Sequence, residues 1–143
     1  MKTTLQQLSV FLENKIGSLY EIMDILSKAE IRIVAATVAD TTEFGILRLI
    51  TSDNVRAYDL LRAAQKNTNN SEVIALGCDS LAGSFYEELQ KFSAAGVVIE
   101  YMYCFSIGNK AAMIMRVSDT AKALQIAEEQ GITTLTNDDI VAL

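Results

Sequence analysis

The apolar positions of the chain follow a pattern that is written twice. QQLSVFL (6–12) reads as a short apolar strand, and GSLYE (17–21) opens a stretch in which Leu19, Ile22, Met23 and Leu26 recur at helical spacing. The strands IRIVAATVAD (31–40) and FGILRLIT (44–51) follow, and then a second helix with Ala57, Leu60, Leu61 and Ala64 facing inward. From EVIALGC (72–78) the order begins again. GSFYE (83–87) opens a helix carrying Phe85, Leu89 and Phe92, strands follow at VVIEYMYCFS (97–106) and AAMIMRV (111–117), and Ala123, Leu124 and Ala127 mark the next helix. A closing strand is expected at ITTLT (132–136), whereas at its counterpart KNTNN (66–70), polar and turn-like, the strand signal is weak.

Displacing the sequence on itself by 66 positions keeps the halves in register without a gap, from Leu8/Ile74 to Ala64/Gln130. Gly17/Gly83, Ser18/Ser84, Tyr20/Tyr86, Glu21/Glu87, Ser52/Ser118, Asp53/Asp119 and Ala57/Ala123 are among the identities. This is a tandem duplication. In each half a serine followed three residues later by glutamate, Ser18–Glu21 and Ser84–Glu87, matches the S-x-x-E capping box, so each serine is expected as a helix N-cap. The helices are expected to end near Ala29–Glu30 and Ala95–Gly96.

The order β-α-β-β-α-β predicts an α+β fold of two tandem ferredoxin-like units, residues 1–70 and 71–143, each an antiparallel sheet with both helices on one face. Consecutive apolar positions at Ile46–Leu47 and Met113–Ile114–Met115 predict strands covered on both faces, by the other unit or by another subunit. Units this small bury little core alone. An oligomer is expected.

Composition narrows the function. The chain has 143 residues, is 50% hydrophobic and carries a net charge of −6 with scattered Lys and Arg, which argues against nucleic-acid binding. No apolar run is long enough for a bilayer, and the N-terminal residues do not read as a signal peptide, so a cytoplasmic protein without membrane attachment is expected. Cys78 and Cys104, the two cysteines, read as thiols in strands rather than a disulfide framework. Histidine is absent, and no nucleophile–base pair, metal cluster or cofactor motif stands out; no enzyme, metal or cofactor is expected. Tyr20 and Tyr86 are expected to pack, as are Tyr101 and Tyr103, and Arg48 and Arg116 to serve as surface or interface charges.

The strand-to-helix loop holds the remaining chemistry. In ENKIGSLYE a glycine stands before a helix start, where Gly17 permits close backbone approach and the first-turn N–H groups favour a carboxylate or another anion. Geometry alone favours the plainer reading, in which Gly17 and Gly83 only form a tight turn.

The string Glu13-Asn14-Lys15-Ile16-Gly17-Ser18-Leu19, then Ala39-Asp40-Thr41 and Phe44 through Ile50, resembles the ACT-domain family, and in particular small stand-alone proteins of two ACT repeats. The second repeat carries Gly83–Ser84, Ile99 through Tyr103 and ITTLTNDDI (132–140). The resemblance implies a regulatory module that binds a small ligand, most often an amino acid, at the interface between ACT units. It implies a first site at Asn14, Lys15, Ile16, Gly17, Ser18 and Leu19, with Thr37 and Asp40 as strand contributors. The equivalent second site is Ser80, Leu81, Ala82, Gly83, Ser84 and Phe85. The family often has proline before the loop glycine; here Ile16 and Ala82 stand there, which leaves the loop freer in φ. The partners implied are an amino acid ligand, a second copy in a homodimer, and a regulated enzyme or transcription partner. A ligand-free structural or protein-interaction module of the same architecture is the alternative.

Overall fold

The computed structural model describes residues 4–13, 16–40, 44–79 and 82–142, and of Asp40 and Ile107 the backbone alone. The elements are β1 (Leu5–Glu13), α1 (Ser18–Lys28), β2 (Ile33–Asp40), β3 (Phe44–Thr51), α2 (Asn54–Ala63), β4 (Thr68–Asp79), α3 (Ser84–Ala94), β5 (Ile99–Ile107), β6 (Lys110–Val117), α4 (Thr120–Glu129), β7 (Thr134–Leu135) and α5 (Asn137–Val141). The chain divides into two compact units, one of Gln6–Ser71 and the other of Glu72 onward together with Leu5. The β-α-β-β-α-β order is present twice, with β4 ending the first unit and opening the second.

In the first unit β3 lies between β1 and β2, antiparallel to both, with Val10 opposite Leu47 and Val38 opposite Leu47 from the other side. Alternation along β1 sends Leu8, Val10 and Leu12 to the helix face, where they meet Leu47, Leu49, Ile22, Leu26, Ala57 and Leu61 in one buried cluster. Each leucine fully removed from water there contributes roughly 1.5–3 kcal/mol of transfer free energy. The second unit repeats the plan, with β6 between β4 and β5 and a core of Ile74, Leu76, Met113, Met115, Phe92, Ala123 and Ala127. Met113, Ile114 and Met115 are all fully buried, so both faces of β6 are covered within a single chain.

The duplication is legible in hydrogen bonds. α1 ends with Ile31 N–H donating to Leu26 O and Glu30 N–H to Ser27 O, and α3 ends with Val97 N–H donating to Phe92 O and Gly96 N–H to Ser93 O. These are the paired bonds of a Schellman stop. The left-handed residue is Glu30 (φ 57°) in one and Gly96 (φ 79°) in the other. Asp53 and Asp119 cap α2 and α4, their carboxylates accepting from the N–H groups of Arg56 and Lys122.

Four expectations are corrected. Ser18 and Ser84 are not N-caps: that position belongs to Gly17 and Gly83, and each serine is the first helical residue. The Ser18 hydroxyl instead donates to Glu13 O at 2.8 Å, tying the helix start to the end of β1. The polar Thr68–Ser71 is strand, not turn, because it runs directly into the apolar part of β4 and Phe11 N–H donates to Asn67 O beside it. Conversely, the closing strand expected over 132–136 shrinks to Thr134–Leu135. Thr136 there caps α5 in a true capping box with Asp139. Tyr20 and Tyr86, expected to pack, are 74% and 67% exposed.

Candidate functional site

Both strand-to-helix loops turn on a left-handed glycine, Gly17 (φ 93°) and Gly83 (φ 88°). A Cβ at either would meet nothing within 4 Å, so these positions need glycine for backbone conformation rather than for space. The first helical bonds run from Glu21 N–H to Gly17 O and from Glu87 N–H to Gly83 O, at 2.9 and 3.1 Å. The amides of the turn before them therefore have no helical acceptor and carry the positive end of the helix dipole. Around the first of these starts the apolar surface is exposed: Ile16 is 103% and Leu19 41% accessible.

Asn14, Lys15, Ser80 and Leu81 lie outside the described residues, as does Thr41. Ile16, Gly17, Ser18 and Leu19 are consecutive around the first glycine turn. Thr37 stands opposite Arg48 on the sheet face away from α1, and Asp40 lies opposite Gly45. In the second unit Ala82 and Phe85 are brought together. With Asp79, Cys104, Ser106 and Ala111 they line a cleft of about 300 Å³ beneath the start of α3. Gly83 and Ser84 form the turn above it. Cys104 and Ser106, which the sequence reading did not place at a site, enter through the pairing of β5 with β6 opposite Met113 and Ala111. Strand alternation over VVIEYMYCFS was the signal that could have found them.

Cys78, half-buried opposite Ala111, has its thiol pushed above the ordinary range, first by burial and then by the charges of Glu88, Asp79 and Cys104. It is held as a neutral thiol rather than as a nucleophilic thiolate. Among the described residues no group of three or more Cys, Asp or Glu side chains is placed to hold a metal ion. Among them, too, no helix is long and apolar enough to cross a membrane.

The family model described as an ACT domain pair matches residues 3–143. The chain belongs to that family. Among solved structures, a protein from Bacteroides thetaiotaomicron is 36% identical over 98% of this chain and 97% of its own, with a TM-score of 0.94. The regulatory subunit of aspartate kinase from Thermus thermophilus, in its ligand-free form, is 12% identical over 87% of this chain and 90% of its own, with a TM-score of 0.60. Aspartate kinase from Clostridium acetobutylicum, described as an allosteric enzyme, is 12% identical over 89% of this chain and 33% of its own, with a TM-score of 0.52. At that identity these two likenesses are of fold. No curated protein matches the chain.

Proposed function

We propose that this chain is a non-catalytic regulatory protein that binds a free amino acid at its glycine loops. The observation that carries the reading is the duplicated loop of an ACT domain pair, with left-handed Gly17 and Gly83 each turning the chain into a helix N-terminus whose first helical bond is made by Glu21 or Glu87 N–H. A ligand carboxylate would accept from the first-turn amides, while exposed Ile16 and Leu19, or the cleft under Phe85, would receive its side chain. The units act as residues 1–70 and 71–143, and the regulatory form is a homodimer inside the cell. Membership of the ACT domain-pair family supports the regulatory class, and the regulatory subunit of aspartate kinase from Thermus thermophilus shares the fold. Regulation then requires that ligand bind two states of the protein unequally and that an enzyme or transcription partner read the difference.

The test is calorimetric titration of the chain with each of the twenty amino acids, repeated on Gly17→Asp. The variant places a carboxylate beside the amides that would hold the ligand's own. Binding of one or a few amino acids, lost in the variant while it stays folded, supports the assignment; unchanged affinity in the folded variant removes it.

A further inference from the structure

The two units differ most tellingly where β1 and β3, or β4 and β6, reach the helix-free face. In the first unit Phe11 and Phe44 fill that face, ring centroids 5.3 Å apart and planes tilted by 57°. The ladder there sets Phe11 opposite Ile46 and Glu13 opposite Phe44. The second unit keeps the register but not the bulk: Gly77 lies opposite Ala112 and Asp79 opposite Lys110. Phe11, Phe44 and Ile46 have thus become Gly77, Lys110 and Ala112.

The space left is a cleft of about 580 Å³, within the range of about 300–1,000 Å³ usual for small-molecule pockets. Leu135 closes one part of it. A Cβ on Gly77 would meet Leu135 Cδ2 at 2.9 Å, so a larger residue there would push that cover away. Ala111 and Cys78 also line it, and its polar and charged groups are Thr133, Thr134, Asp79, Asp139 and Lys110. Among the described residues Asp79 and Lys110 form no ion pair with each other. Asp139 stays ionised, its carboxyl held below the usual range by the Thr136 amide and then the Thr136 hydroxyl. Two carboxylates and one ammonium leave the cleft with one net negative charge. It adjoins the cleft beneath Phe85 and Ala82, sharing Asp79 and Ala111 with it, but Gly77, Lys110, Thr133, Thr134, Leu135 and Asp139 line this cleft and not the other.

We propose that this cleft is a second small-molecule site, shaped for a diamino monocarboxylic acid. Lys110 takes the ligand's carboxylate, and Asp79 and Asp139 take its two ammonium groups. Thr133 and Thr134 border the site with hydroxyls, and Leu135 packs against the ligand's methylene chain. The ligand's net charge of one plus matches the cleft's charge. A ligand with a neutral side chain leaves one carboxylate unpaired, and an acidic one adds repulsion.

The test is titration of isotope-labelled protein with L-ornithine and L-lysine, with L-norleucine and L-glutamate as controls, followed by amide chemical shifts. The diamino acids should shift the amides of Gly77–Asp79 and Thr133–Leu135, and the controls should bind at least tenfold more weakly. Lys110→Phe, which restores the first unit's residue at an exposed position, should abolish the shifts. Asp79→Asn should weaken L-ornithine about tenfold and L-norleucine far less. Silent cleft amides, shifts confined to residues 16–19 and 82–85, or undiminished binding in both variants would overturn the proposal. The second of those outcomes would leave the glycine loops standing as the binding site. Shifts at the cleft alone would support the cleft and not the loops.

Discussion

Ser52 and Arg32 exchange two hydrogen bonds: the Ser52 N–H donates to Arg32 O at 2.8 Å, and the Ser52 hydroxyl accepts from Arg32 N–H at 2.9 Å. Ser118 and Val98 repeat both bonds in the second unit, at 2.9 and 3.1 Å. The clamp fixes the entrance of β2 and β5 just as the following aspartate caps α2 and α4. One dipeptide, Ser-Asp, thus sets two elements, which explains why it survives in both copies.

Removing the hydroxyl leaves one strand-entry amide without its side-chain acceptor. Ser52→Ala and Ser118→Ala should each lower stability by about 0.5–1.5 kcal/mol, the usual net value of one such bond. The effects should add, since the sites belong to separate units. Urea melts of the single and double variants check this; a neutral double variant would contradict the clamp.

Glu30 and Gln65 hold left-handed backbone, at φ 57° and 61°, where Gly96 and Gly131 stand in the second unit. A non-glycine residue costs about 1–2 kcal/mol in that region, partly offset because glycine frees the unfolded chain. Glu30→Gly and Gln65→Gly should therefore each raise stability, by about 0.5 kcal/mol. A lower urea midpoint in both would show that the side chains contribute more than the strain costs.

The capping box of α5 makes a pH-dependent prediction. Asp139 titrates below its unfolded value, so its contribution to stability is present above the ordinary carboxylate range near pH 3.9. That contribution is lost as pH falls through the lower folded value. Thr136→Val keeps the backbone donor but removes the hydroxyl, and should move Asp139 part of the way back up. Carboxyl chemical shifts followed against pH read this directly; an unmoved titration would show that the backbone bond alone sets it.

The regular parts of the fold could be read in advance because their signals are local. FGILRLIT appears as β3 with the bounds expected. The misreadings share a cause, competition between neighbouring signals. At GSLYE both glycine and serine can precede a helix, and the left-handed glycine takes the cap, so the serine falls inside. At Thr68–Ser71 polar composition argued for a turn, but strand pairing is decided by what lies alongside, and β4 runs on through it. Of the candidate site, the glycine turns were legible; the clefts were not. The cleft beneath Phe85 needs Cys104 and Ser106 of β5, about 20 positions along the chain from Phe85. The cleft at Gly77 depends on Leu135 and on a comparison of side-chain bulk between the two copies.

Binding of an amino acid at the glycine loops is read by a thermal-melt screen against the twenty amino acids. At a hundred times its dissociation constant a specific ligand should stabilise the protein by about 2.7 kcal/mol, a shift of roughly 5–10 °C for a chain of this size. One or a few such shifts are expected in the native chain, and they should be lost in a cooperatively melting Gly17→Asp, Gly83→Asp double variant. Twenty flat curves, or shifts of undiminished size in the double variant, would contradict binding at the loops.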